Sequence, residues 1–178
     1  EVQELLDSDQ TLLEYFVTPE KTLLWVIYKD RSVSLSLPIS QKELVGKVNT
    51  LRQALSELKP LEHFRRVSQD LYKLLIEPAL SRIRGKELIV VPHDVLHYLP
   101  FQALLASDGR YLIEKYPIYY LSSASLLQFT KEKSRAKGDL RTLLPQAGKV
   151  LALGNPDLGD PKKSLQYAGI EAQEIKSL

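Results

Sequence analysis

The sequence predicts an α/β protein that opens with an antiparallel β element. Three features point there. The run Ser32-Val33-Ser34-Leu35-Ser36-Leu37 alternates strictly between serine and aliphatic residues, the period of a half-buried antiparallel strand. Leu44, Val48, Leu51, Leu55 and Leu58 recur at helical spacings and form one apolar stripe. Leu88-Ile89-Val90-Val91 and Val150-Leu151-Ala152-Leu153 are unbroken apolar runs, as strands buried on both faces of a parallel sheet between helices require.

Taken in order, a short helical lead precedes strands at Leu12–Val17, Leu23–Tyr28 and Ser32–Leu37. They are joined by Thr18-Pro19-Glu20-Lys21 and Lys29-Asp30-Arg31, both rich in turn formers. In the third strand Val33, Leu35 and Leu37 share the buried face, and the serines form a solvated one. Ser40 is a helix N-cap, with Glu43 three residues on to complete a capping box and Pro38 just outside. The helix ends at Lys59-Pro60, and its stripe is expected to pack on its own domain. A second helix, about His63–Ile76, turns Phe64, Val67, Leu71, Leu74 and Leu75 inward. Pro78 must kink or restart it, because proline lacks the N–H and clashes with the preceding turn.

Beyond the strand at Leu88–Val91, the segment His93–Leu105 leads through a tight Pro-Phe step into a short helix. Ser107-Asp108-Gly109-Arg110 reads as a turn. Tyr111–Ile113 and Pro117–Leu121 are expected to be paired strands, followed by a short helix from about Ser123 to Lys131. Residues 131–148 are charged and broken by Gly138, Pro145 and Gly148, which marks a linker. A second buried strand then ends in Gly154-Asn155-Pro156, and Gly169–Leu178 reads as the opening turns of a helix. The pattern is two α/β units in series, the second only begun.

Composition narrows function mainly by exclusion. Of 178 residues, 44% are hydrophobic and 26% charged, ordinary for a chain with a core. The net charge, 24 basic minus 22 acidic residues or +2, is too small to suggest a nucleic-acid or acidic-lipid partner. No apolar run approaches the roughly 18 residues that span a bilayer, and no secretory signal is visible. There are no cysteines, which removes disulfides, thiolate metal sites and thiol nucleophiles from this chain and is compatible with a reducing, cytoplasmic setting. The chain also lacks methionine and opens on Glu1-Val2-Gln3. It is therefore expected to be a piece of a longer protein.

Candidate chemistry is sparse. His93 and His97 are four apart, a spacing that can present two imidazoles to one metal from a helix. Pro92 and Pro100 leave little room for such a helix, and His63 lies on another element, so a loop histidine tying down backbone is the favoured reading. Asp157 and Asp160 in Gly154-Asn155-Pro156-Asp157-Leu158-Gly159-Asp160 could hold Mg²⁺, but this composition is also that of a strand-to-helix turn. It lacks the Lys-Ser/Thr of a phosphate-binding loop. Ser122-Ser123-Ala124-Ser125 lacks the glycines of a nucleophile elbow and reads as a helix cap. The basic residues Lys131, Lys133, Arg135, Lys137 and Arg141 have no interleaved aromatics for base stacking. No nucleophile, base and oxyanion hole assemble. No catalytic, cofactor or metal residue is assigned.

The segment Leu88-Ile89-Val90-Val91-Pro92-His93-Asp94-Val95-Leu96-His97-Tyr98-Leu99-Pro100-Phe101-Gln102-Ala103-Leu104-Leu105 resembles the hallmark stretch of CHAT domains. That stretch is an aliphatic strand, Pro-Asp-Gly-x-Leu, then His-x-x-Pro-Phe-x-x-Leu. Leu13-Glu14-Tyr15, Tyr111-Leu112-Ile113-Glu114, Ser122-Ser123-Ala124-Ser125-Leu126-Leu127, Leu151-Ala152-Leu153-Gly154-Asn155-Pro156 and Leu165-Gln166-Tyr167-Ala168-Gly169-Ile170-Glu171-Ala172 are similar to the family's other landmarks, in order. One departure is His93-Asp94-Val95 where Pro-Asp-Gly is common. The resemblance implies a caspase/separase-like three-layer α-β-α architecture, here incomplete. It implies residues 1–145 as an N-terminal, non-catalytic, pseudo-caspase-like part and residues 146–178 as the first strand and helix start of the caspase-like core. It further implies a cysteine endopeptidase of prokaryotic type, cytoplasmic and with TPR repeats nearby, that meets protein partners or substrates. Its His and Cys lie on later strands, in stretches resembling ATHG and LSACET that this chain does not contain. His63, His93 and His97 match neither position. The alternative is a regulatory or scaffold module of a TPR-CHAT protein without proteolytic activity.

Overall fold

The computed structural model describes residues 2–57 and 60–129. They build five strands, β1 Gln10–Val17, β2 Thr22–Ile27, β3 Ser32–Leu37, β4 Glu87–Val91 and β5 Ile118–Tyr120. Three helices, α1 Gln41–Ser56, α2 Leu61–Leu75 and α3 Leu112–Lys115, accompany them. The strands form one sheet in the order β3-β2-β1-β4-β5. β1, β2 and β3 are antiparallel neighbours. β4 runs parallel to both β1 and β5. The antiparallel N-terminal element and the buried parallel strand thus belong to the same mixed α/β sheet.

Period-2 alternation divides the sheet into two faces. One carries Leu13, Tyr15, Val17, Leu24, Val26, Leu37, Leu88 and Val90, which pack with Leu44, Val48, Leu51, Phe64, Leu71 and Leu75 of α1 and α2 in the main core. The other carries Leu12, Ile89 and Val91, which pack with Leu6 from the N-terminal turn and with Ala124 and Leu127. β4 is therefore buried on both faces, as its unbroken aliphatic run requires. Ser32, Ser34 and Ser36 stand exposed opposite the half-buried Val33 and Leu35. Their solvated face was legible in the alternation.

α1 begins as the sequence indicates. The Ser40 hydroxyl accepts the Glu43 N–H, and the Glu43 carboxylate accepts the Ser40 N–H. The Ser40 hydroxyl also donates to the Glu43 carboxylate at 2.7 Å, and that bond, then the one from the Ser40 N–H, holds the Glu43 carboxyl below its usual range. The stripe runs Leu44, Val48, Leu51, Ala54, and Leu55 is exposed, contrary to its expected place inside. The two neighbours straddle the stripe's edge, and packing takes the smaller. In α2, Ser68 and Tyr72 join Phe64, Leu71 and Leu75 as buried residues, whereas Val67 and Leu74 are only partly buried. Pro78 does restart the chain, in the 3-10 turn Glu77–Arg82.

Two further expectations need correction. Tyr111–Ile113 is not a strand paired with Pro117–Leu121. Tyr111 makes a lone antiparallel bridge to Leu105, and Leu112–Lys115 is helical, with the Glu114 carboxylate accepting the Tyr111 N–H. That bond, with the Glu114 N–H donating to the Tyr111 carbonyl, favours a helical start over an extended one. β5 finds its partner in β4 instead. The expected linker at 131–148, the strand at 149–153 and the final helix lie outside the described residues.

The parallel β1–β4 ladder is started by one close approach. Lys86 and Glu87 both donate their N–H to the Asp9 carbonyl, at 2.7 and 3.1 Å. Gly85 reaches that position with φ +80°, a left-handed conformation open mainly to glycine. A Cβ on Gly85 would run into the Asp9 backbone, whereas one on Gly46 in α1 meets nothing within 4 Å. Equilibrium urea unfolding is expected to separate the two. Gly85→Ala should destabilise by more than ~1 kcal/mol, and Gly46→Ala should stabilise by about 0.5–1 kcal/mol. Equal effects at the two sites would contradict the close approach.

Candidate functional site

The segment that follows β4 holds the chain's most distinctive residues, and the structure shows how each is used. Pro92 is buried, and His93 continues in extended backbone, φ −135° and ψ 144°. Its Nδ1 accepts the Val17 N–H at 3.2 Å at the end of β1. Its ring lies on Phe16, with centroids 4.5 Å apart. His93 is thus a loop histidine that ties down backbone, as its setting between prolines suggested. Nδ1 must be unprotonated to accept, so the neutral ring carries its proton on Nε2.

Asp94 then adopts φ +54°. Asp tolerates this left-handed turn better than most non-glycine residues, and its carboxylate accepts a 2.7 Å bond from the Gln41 side-chain amide at the start of α1. This position falls in the stretch where the sequence departs from Pro-Asp-Gly. The turn is made all the same.

Residues Asp94–Tyr98 form a 3-10 turn. Its three residues per turn rotate side chains four apart away from each other, so His93 and His97 do not share a face. His97 is exposed. His63, on α2, lies 3.4 Å from Arg66. Among the described residues no group of three His, Asp or Glu side chains could hold a metal. Asp157 and Asp160 lie outside the described residues. Ser123 and Ser125 contact each other at 2.8 Å, ahead of the helical turn at 126–129, with Leu126 donating to the Ser123 carbonyl. That is the expected helix start.

The Pro-Phe-x-x-Leu portion turns inward. Phe101 and Leu104 are fully buried. The Phe101 ring meets Tyr15 at 5.4 Å and Tyr120 at 6.3 Å, and its N–H donates to the Tyr120 hydroxyl at 3.0 Å. That hydroxyl in turn donates to the Gln102 side chain. Burial pushes the Tyr120 phenol up, partly offset by the bond from Phe101. Tyr15, also raised by burial, donates to the Leu75 carbonyl at 2.9 Å. The motif is a plug that pins the loop after β4 to β1, β5 and α2.

Sequence reasoning missed Ser68. It is fully buried, donates to the Ala103 carbonyl at 2.7 Å and accepts the Leu105 N–H at 2.8 Å. One hydroxyl thereby satisfies both backbone groups as the chain leaves the plug. A lone serine at an inward position of α2 was the available signal. Asp108 is the second such anchor. It pairs with Lys115 at 3.0 Å and Arg110 at 2.9 Å, and Lys115 stands over the Tyr72 ring at 5.8 Å. The Lys115 bond first, then the Arg110 bonds, hold the Asp108 carboxyl well below the usual carboxylate range.

On the outer side, Arg52 of α1 covers the exposed Tyr98 ring at 5.0 Å, in a shallow groove with Asn49, Leu55 and Pro100. No helix among the described residues is long and apolar enough to cross a membrane. The model of the CHAT domain matches residues 65–178, a stretch that includes the whole plug. No curated protein matches the chain.

Phe101→Ala should cost about 3–5 kcal/mol in unfolding free energy; Ser68→Ala should cost about 1–3 kcal/mol by leaving buried backbone groups unpaired. A loss under ~1 kcal/mol for Phe101→Ala would mean the motif is not a core element. For Asp108 the folded pKa lies below the unfolded value of about 3.9. Its ion pairs therefore stabilise the fold above that pH, and the contribution is lost as pH falls through the acid range. Melting temperatures of wild type and Asp108→Asn should differ at neutral pH, and the gap should begin to close only below about pH 4 and keep narrowing as pH falls through the lowered folded value. A gap independent of pH would contradict the pairing.

Proposed function

This chain belongs to the CHAT family, a caspase-like protease family, and on that premise we propose that it is the non-catalytic N-terminal part of a CHAT-type cysteine endopeptidase. In this reading residues 1–145 are a pseudo-caspase-like support, residues 146–178 begin the catalytic core, and the His/Cys dyad belongs to later sequence of the longer protein. The single observation that carries the reading is the use made of the hallmark stretch. Leu88, Val90, Leu96, Phe101 and Leu104 are all fully buried, so the motif spends its side chains on packing rather than on a cleft. The chemistry agrees. A peptidase of this type needs a thiolate, a positioned imidazole and oxyanion donors, and this chain has no cysteine. His93 is already engaged with Val17 and Phe16. The support would act by holding the catalytic core in its competent geometry, with TPR repeats and a protein substrate as partners of the longer protein.

The test uses the full-length protein that contains this chain. It should react with a thiol-directed activity probe and cleave a protein substrate. Both should stop when its catalytic cysteine is changed to alanine. Phe101→Ala should lower both by more than tenfold, with the cysteine still present. A folded full-length protein that neither reacts nor cleaves would favour a regulatory or scaffold module instead.

A further inference from the structure

The two edges of the sheet are built differently. β5 is three residues long, and a short edge strand offers little for another chain to pair with. β3 is six residues, pairs with β2 without a bulge from Thr22↔Leu37 to Ile27↔Ser32, and contains no charge and no proline. Among the described residues no strand pairs with its outer edge. Natural proteins usually blunt such an edge with lysine, proline or a bulge. Here none of these is present.

The register shows which groups the edge offers. Tyr28 donates to the Arg31 carbonyl at 2.8 Å across the hairpin turn, so Tyr28 and Arg31 are a hydrogen-bonded pair. Such pairs alternate along an antiparallel ladder. Val33, Leu35 and Leu37, opposite Val26, Leu24 and Thr22, therefore bond toward β2. The N–H and C=O of Ser32, Ser34 and Ser36 point outward.

From this edge we infer that β3 pairs antiparallel with β3 of a second copy of this chain, about a two-fold axis at Ser34. The sequence is self-complementary in that register. Ser34 faces Ser34, Ser32 faces Ser36, and Val33 faces Leu35. Residues directly opposite lie on one face of a sheet, so serines meet serines on the solvated face and aliphatics meet aliphatics on the helix-covered face. The three serine pairs all consist of outward-pointing residues, and each exchanges two hydrogen bonds. Moving the axis to Leu35 would put Ser32 opposite Pro38, which has no N–H to give. The turn charges do not collide either, since Arg31 falls opposite Leu37. Such a contact is isologous and closes at two copies. One strand pair buries less than the ~1,200 Å² of a standard stable interface, so the dimer is weak and depends on concentration.

The test is sedimentation velocity of the 178-residue chain from about 1 to several hundred micromolar, the range in which a contact this small associates. The expected result is reversible dimerisation, with slower amide exchange at Ser32, Ser34 and Ser36 as concentration rises. Ser34→Lys sets two like charges opposite each other on a solvated face, where the monomer fold is unaffected, and should weaken association by at least tenfold. An equimolar mixture of Ser34→Lys and Ser34→Glu chains should regain it as a heterodimer. Circular dichroism identical to wild type would confirm that both variants are folded. A monomer across the whole range overturns the inference, whether or not the edge then accepts a strand of another protein. So does a dimer that Ser34→Lys leaves intact.

Discussion

The rest of the described structure depends on the double burial of β4. Leu88 and Val90 point into the helix-covered core while Ile89 and Val91 point into the smaller cluster on the opposite face. Backbone ladders join the same strand to β1 on one side and β5 on the other. A strand so placed has no solvated face along Leu88–Val91, so those four residues must be apolar and their backbone groups paired. The hairpin strands β2 and β3 reach this core through β1. The plug at Phe101 holds the chain as it leaves β4, and Gly85 with Asp9 holds it as it enters. These are the two ends of one constraint.

The plug also shows what the hallmark residues do in the fold. Phe101 and Leu104 fill the space between β1, β5 and α2, and Ser68 and Tyr120 satisfy the backbone that turns around them. A motif can mark a family because the fold needs it. Asp94 adds to the motif a left-handed turn, held by its carboxylate's bond from Gln41.

Much of the fold could be read from residues alone, where a local period or cap sets the outcome. β3 has the boundaries its alternation indicates, Ser40 caps α1 through Glu43, and the Leu88–Val91 run is the doubly buried strand. The errors arose where local signals compete. Tyr111–Ile113 is apolar enough for a strand, but Tyr111 and Glu114 form a helix start, a pattern visible in the sequence and outweighed there by the apolar run. Leu55 and Ala54 both border the helical stripe, and only the packed neighbour decides between them. Long-range facts were not legible at all. Period 2 assigns a residue to a face without naming its neighbour, so the pairing of β4 with β1, the bond from Val17 to His93 and the bridging by Ser68 needed the fold. Of the candidate residues, His93 was legible as a tie to backbone, because it sits between Pro92 and Pro100.

Native-state hydrogen exchange measures the central constraint directly, since it ranks segments by the free energy of the opening that exposes them. If β4 is the pillar, the amides of Leu88–Val91 and the Phe101 amide exchange only through global unfolding, with the highest protection in the described residues. The β2–β3 hairpin then opens at lower free energy. Protection of β4 below that of the hairpin would contradict the account.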